Sequence, residues 1–276
     1  MDLHFGQGGE ISGFTAAGIT AFSDLNPEAI VREIMQNSLD AAREAKRDIA
    51  RVRFESVRHD INQIPGIQQY RSVFHRAKQA QERLRAGYQG LSDQAQDVVH
   101  AIETCLASEH CTTLFALDNG IGLDESRMKG ILADGVSVKG GASAGAVGNG
   151  HFVVIPASDL RYVLYGGLTE ARQMIGSGHT ILASHKNAGD NTPMSKDGYF
   201  VKALRPDLFN PYEFPRDSEV PEYLRSKLEW IARQWSFGTV VAVPGFNHFR
   251  EQHRSLGDII ATVSYTHLTL PTKRIV

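Results

Sequence analysis

Apolar residues recur at helical spacing soon after Leu25. Ile30, Ile34 and Ala41 lie on or near one stripe, with Val31, Met35, Leu39 and Ala42 beside it, which predicts a long helix over residues 29–49. Asn26 suits the N-cap, Pro27 the first helical position and Glu28 the positive helix end. Residues 51–58 then alternate and predict a strand. Ile64-Pro65-Gly66 breaks the chain, and residues 67–87 and 92–108 follow as two amphipathic helices, the second with Ser92 as cap. They predict an antiparallel helical hairpin inserted between two strands (residues 60–111) and read as a surface elaboration. Residues 112–117 form a short apolar strand. Residues 161–166, 173–185, 199–204 and 238–243 predict further strands, with a polar loop over 187–196. Residues 205–221, with four prolines, read as irregular, and residues 221–235 as a helix.

Composition narrows the class. Of 276 residues, 42% are hydrophobic and the formal net charge is -2, an ordinary globular balance without a nucleic-acid or anionic-membrane signature. No stretch approaches the ~20 apolar residues that span a bilayer, so no membrane partner is expected. Residues 1–13 lack a basic start followed by an apolar run, so no signal peptide is read and the expected compartment is the cytoplasm. Two cysteines, Cys105 and Cys111, make neither a disulfide framework nor a zinc motif. Residues 264–276 share no pattern with what precedes them and read as a non-native tail; residues 1–263 are taken as one domain, the first part of a longer protein.

Three groups of residues carry candidate chemistry. Glu33, Asn37 and Asp40 stand at i, i+4 and i+7, on one helix face among apolar neighbours. A partly buried carboxylate beside a carboxamide needs a polar ligand; a solvent-facing polar stripe is the plain alternative. Asp118-Asn119-Gly120-Ile121-Gly122 ends a strand with an acid and two glycines, where a carboxylate can accept from an exocyclic amine, though Asp-Asn-Gly is also an ordinary turn. Gly145, Gly148 and Gly150, at GxxGxG spacing in a loop rich in Gly, Ser and Ala, let backbone N–H groups approach phosphates. The chain has no GxxxxGK[ST] motif.

Their order, followed by Gly238-Thr239 opening a late strand, resembles the GHKL superfamily: gyrase, the large heat-shock chaperone, histidine kinases and the mismatch-repair ATPase MutL. The resemblance covers roughly residues 20–245, with the helical hairpin and residues 205–235 as departures. Its motif style is closest to the MutL and heat-shock chaperone branch.

The resemblance implies an α/β two-layer sandwich, a mixed, largely antiparallel sheet covered on one face by helices (the Bergerat fold). It implies Mg-dependent ATP binding and hydrolysis. Glu33 matches the catalytic base that activates water. Asn37 matches the Mg²⁺ ligand, and Asp118 the acid that recognises the adenine amine. Gly120 and Gly122 match the turn that admits the base to the backbone, and Gly145, Gly148 and Gly150 the lid end that wraps the phosphates. Thr239 matches a threonine near adenine, and Asp40 an acidic position of the first box whose role stays open. Lys139, in the lid loop, either reaches a phosphate or is solvated. An ATP-dependent homodimer and a protein or nucleic-acid client are further implications. A nucleotide-gated interaction module with little hydrolysis remains the alternative. A histidine kinase catalytic domain is disfavoured, since His4 lies in no helical pattern.

Overall fold

The computed structural model describes residues 2–8, 11–15, 27–85, 93–132, 154–205, 211–246 and 256–263. The strands are β1 (Asp2–Gln7), β2 (Val52–Asp60), β3 (His110–Asp118), β4 (Tyr162–Leu168), β5 (Met174–Ile181), β6 (His185–Lys186), β7 (Pro193–Val201), β8 (Ala203–Leu204), β9 (Tyr212–Glu213) and β10 (Gly238–Pro244). The helices are α1 (Pro27–Glu44), α2 (Ile67–Arg85), α3 (Asp93–Ala107), α4 (Glu125–Leu132), α5 (Glu222–Gln234) and α6 (Leu256–Val263). Eight strands form one sheet in the order β1-β7-β5-β4-β10-β3-β2, with β6 beside β7, and β8 and β9 pair separately. Every pairing among the described strands is antiparallel. This is the α/β architecture expected from the sequence, with a large antiparallel sheet.

Alternation along the central strands sorts the core into two faces. Leu114 and Ala116 of β3, Val163 and Tyr165 of β4, and Val243 of β10 pack with Ile30 and Ile34 of α1 and with Met128 and Leu132 of α4. The residues between them, Phe115, Leu117, Leu164, Val240 and Ala242, pack with Leu224, Leu228 and Ile231 of α5. α1 and α4 therefore lie on one face of the sheet and α5 on the other, where helices on one face only were expected, because the central strands are apolar on both faces and both must be covered. α6 lies beside α1, where Ile259 joins Val31 and Met35.

The hairpin joins β2 to β3, which are neighbours in register from Val52↔Asp118 to Asp60↔His110. Arg71 donates to the Leu106 carbonyl and Lys78 pairs with Glu103, which fixes α2 and α3 antiparallel. The surface reading of this insertion is corrected. Ile67, Tyr70, Phe74 and Ile102 are buried in the same core as α5, and Tyr70 stacks on Tyr162 of β4 with ring centroids 6.0 Å apart. An amphipathic helix must bury its apolar stripe somewhere, and the uncovered part of the sheet supplies the place.

α1 ends earlier than its apolar pattern predicts, at Glu44 rather than near residue 49. The Arg47 N–H donates to the Ala42 carbonyl at 2.9 Å, and the Lys46 N–H to the Arg43 carbonyl at 2.9 Å. Lys46 has φ +53°, so this is a Schellman stop with lysine in the left-handed position usually held by glycine. The polar loop expected over 187–196 also differs, because β7 already begins at Pro193, where pairing with β6 holds the chain extended. β1, with Leu3 and Phe5 pointing inward, and the short α4 were not foreseen. The predicted caps Asn26 and Ser92 and the tail over 264–276 lie outside the described residues.

No helix among the described residues is long and apolar enough to cross a membrane.

Candidate functional site

Asp118 closes β3 on the α1 face. Register places Val52, Asp118, Thr239 and Gly167 side by side across β2, β3, β10 and β4. Directly after Asp118 the chain turns, and the turn is fastened from beneath. Asn119 accepts from the Arg51 N–H at 2.7 Å and donates to the Ile49 carbonyl at 2.9 Å. Arg47, released by the early end of α1, donates to the Asn119 and Trp235 carbonyls at 2.9 Å and lies over the Phe237 ring.

Close backbone approach explains the glycines of this turn. Gly122 has φ +79°, and a Cβ there would lie 2.2 Å from the Leu168 carbonyl oxygen. A Cβ at Gly120 would lie 2.5 Å from the Ala41 Cβ, so this turn abuts α1 directly. The Ile121 N–H donates to the Ala41 carbonyl at 3.1 Å, completing the link. Asp124 then starts α4 by accepting from the Arg127 N–H at 2.8 Å, and Arg127 pairs with Glu44 at the end of α1.

The Asp118 carboxyl is buried, at 8% exposure. It accepts from the Gly120 N–H at 2.8 Å and from the Ser38 hydroxyl at 3.3 Å. Burial pushes it up to about 6, against the pull of Gly120, Ser38, and the Thr239 N–H and hydroxyl. An acid so placed changes charge near neutrality and gains from any ligand that donates to it.

On α1, Glu33 and Asn37 are one helical turn apart, and the Asn37 amide donates to Glu33 at 3.0 Å. Glu33 is half-buried and Asn37 exposed. The stripe that carries them continues to Ala41, the residue that touches the turn. At ~1.5 Å rise per residue, Glu33 stands about 12 Å along the axis from Ala41. Asp40 engages Gln36 at 3.2 Å and Arg43 at 3.3 Å, both on α1 itself.

The structure thus brings Asp118, Gly120, Gly122 and Thr239 into one cluster, and seats the Glu33–Asn37 pair on the helix that the cluster touches. Gly145, Gly148, Gly150 and Lys139 lie outside the described residues. Sequence reasoning gave no role to Ser38, a buried hydroxyl amid the apolar stripe of α1, or to Gly167, over which Leu123 passes so closely that a Cβ would lie 2.3 Å from its carbonyl oxygen. A small polar residue at a core-facing helical position was the signal for Ser38. Gly167 had no local signal, because its neighbour lies in a distant turn.

No cluster of three or more His, Cys, Asp or Glu side chains among the described residues is arranged to hold a metal ion. The donor chemistry of α1 nevertheless suits Mg²⁺ carried on a phosphate. Such an ion keeps most of its ligands as phosphate oxygens and water and takes only one or two from protein. The Asn37 amide nitrogen donates to Glu33, and its carbonyl oxygen is the atom of that side chain with the chemistry to ligate a hard cation.

The chain matches no protein-family model, and comparison with curated proteins gives no match.

Proposed function

We propose that the chain binds Mg·ATP along α1 beside its junction with the 118–122 turn and hydrolyses it, in the manner of a GHKL-type ATPase. One observation carries this reading. A buried acid on β3 and a Glu–Asn pair are tied to the same helix: Ser38 of α1 donates to Asp118, Ala41 abuts Gly120 in the turn after it, and Asn37 donates to Glu33. Ser38, which donates to Asp118, stands five residues from Glu33 on α1, about 7.5 Å along the axis, so one helix carries contacts to both ends of the proposed site.

The roles follow from chemistry. Asp118 accepts from the exocyclic amine of adenine in a site where water competes poorly. Thr239 and Ser38 hold that carboxylate in place. Gly120 and Gly122 let the turn close against Ala41 and Leu168, which sets the edge of the purine site. Glu33 takes a proton from the attacking water, and Asn37 fixes the carboxylate by its hydrogen bond. The Asn37 carbonyl would hold Mg²⁺, which when bound neutralises phosphate charge that otherwise opposes an adjacent carboxylate. One rigid helix sets both the base and the metal ligand, so positioning costs no further ordering.

Glu33→Ala is expected to keep ATP binding and to lose phosphate release in single-turnover assays. A variant that hydrolyses ATP like wild type removes Glu33 as the base. Wild-type protein that binds ATP yet never releases phosphate reduces the chain to a nucleotide-gated interaction module.

A further inference from the structure

Cys105 and Cys111 are the chain's two cysteines, both buried and unbridged. Cys105 belongs to the last turn of α3 and Cys111 to the start of β3. Between them the chain reverses over residues 107–110, whose side chains are exposed. The Ser108 N–H donates to the Cys105 carbonyl at 3.2 Å within that reversal. Both sulfurs converge on Gly245, just beyond β10. Cys111 Sγ accepts from the Gly245 N–H at 3.3 Å, and a Cβ at Gly245 would lie 3.3 Å from Cys105 Sγ. Gly245 thus stands against both sulfurs.

The surroundings favour a thiolate on Cys111. The neighbouring Cys105 thiol favours the charge, burial opposes it, and His59 and the Gly245 N–H favour it again; together they hold Cys111 below the usual thiol range. His59 stands directly opposite Cys111 across β2 and β3 and also meets Tyr223 and Thr113. Both cysteines belong to the core on the α5 face, away from Asp118 and α1. The ATP site makes no use of this cluster. A thiolate held beside a second thiol has one distinctive reaction open to it, oxidation with the neighbour as resolving group.

We propose that Cys105 and Cys111 form a peroxide-reactive dithiol, with Cys111 as the attacking thiolate and Cys105 as the resolving thiol. Cys111 attacks one oxygen of a hydroperoxide. The O–O bond breaks, the departing hydroxide takes a proton and leaves as water, and Cys111 becomes a sulfenic acid. Cys105 then attacks the Cys111 sulfur, the S–O bond breaks, and a second water leaves as the S–S bond forms. Two thiols and one hydrogen peroxide give one disulfide and two waters; sulfur is oxidised and peroxide reduced. Access comes through the exposed reversal above the pair, since the fraying end of a helix opens at lower cost than the core beneath it. The product staples the hairpin to β3, the strand whose other end carries Asp118.

Peptide mapping of the whole chain tests this. After one equivalent of hydrogen peroxide and thiol alkylation, cleavage behind Glu109 separates the Cys105 peptide from the Cys111 peptide. Wild type is expected to yield the two peptides joined, two hydrogens lighter than the reduced pair, and parted by a reductant. In Cys105→Ser, Cys111 is expected to accumulate as a sulfenic acid captured by dimedone. In Cys111→Ser, Cys105 is expected to remain a thiol at the same peroxide dose. Melting temperatures of both variants are recorded first; if Cys111→Ser does not fold, the wild-type map and the Cys105→Ser arm decide. Unlinked, alkylated cysteines in folded wild type, or Cys105 oxidising ahead of Cys111, overturn the proposal.

Discussion

β3 shows the same strand ending differently on its two faces. Toward α5 it presents Phe115 and Leu117 to Leu224, Leu228 and Ile231, and no polar side chain of β3 interrupts that stretch. Toward α1 it presents Leu114 and Ala116, and then Asp118, a carboxyl buried without a countercharge among its hydrogen-bond partners. At Phe115 and Leu117 the first face is spent on burial alone. The second gives up burial at its last position and holds a charge there that the apolar surroundings resist. Burial without such a penalty was available to this strand, as its other face demonstrates, so the acid is explained by what it can receive.

The largest effect is expected on the sealed face. Leu228 is fully buried against β4 and β10. Leu228→Ala is expected to cost about 2–5 kcal/mol in denaturant unfolding and to leave nucleotide affinity unchanged in the folded protein. A loss of affinity comparable with the loss of stability would show that the two faces are not separable.

Asp118→Asn comes next and acts in opposite directions on fold and site. The Asp118 carboxyl rises from 3.8 to about 6 on folding. Its contribution to stability is therefore present in full below pH 4 and lost as pH rises through 6. At pH 8 the ligand-free variant is expected to be more stable than wild type by up to about 3 kcal/mol, and this advantage should vanish by pH 4. Adenine nucleotide binding is expected to weaken at least tenfold by calorimetry. For wild type, an amine donor favours the carboxylate, so binding should release protons near pH 6 and weaken as pH falls below it. Unchanged affinity in the variant would remove Asp118 from the site.

Ser38→Ala sharpens the contrast most finely. It deletes one donor to Asp118 and costs about 1 kcal/mol. The pH midpoint of nucleotide binding is expected to move upward, since one support of the ionised form is gone. A midpoint that stays in place would assign Ser38 to packing alone.

The residues of the candidate site were legible in order and spacing, and their neighbours were not. Glu33 and Asn37 announce themselves by helical spacing, and Asp118-Asn119-Gly120 by the grammar of turns. Asn119 looked like a turn residue, yet its side chain ties the end of β3 to Ile49 and Arg51. The hairpin was visible as two amphipathic helices, but amphipathicity states only that a stripe must be buried. Whether it meets a partner or its own sheet depends on where the sheet is uncovered. The end of α1 was misread because Ala45 and Lys46 are good helix formers, and only a distant anchor for Arg47, on Asn119 and Trp235, makes the left-handed stop at Lys46 worthwhile.

By itself the sequence determined what is periodic and local: the long helices and the central strands, which of their side chains share a face, and where glycine permits a turn. The tertiary structure alone decided what depends on contacts across long stretches of chain. It set β10 between β3 and β4, and thereby Thr239 beside Asp118. It laid Ala41 on Gly120 and folded the hairpin onto the sheet. It also decided the ionisation of Asp118, because desolvation is a property of the surroundings and no spacing of residues along a chain encodes it.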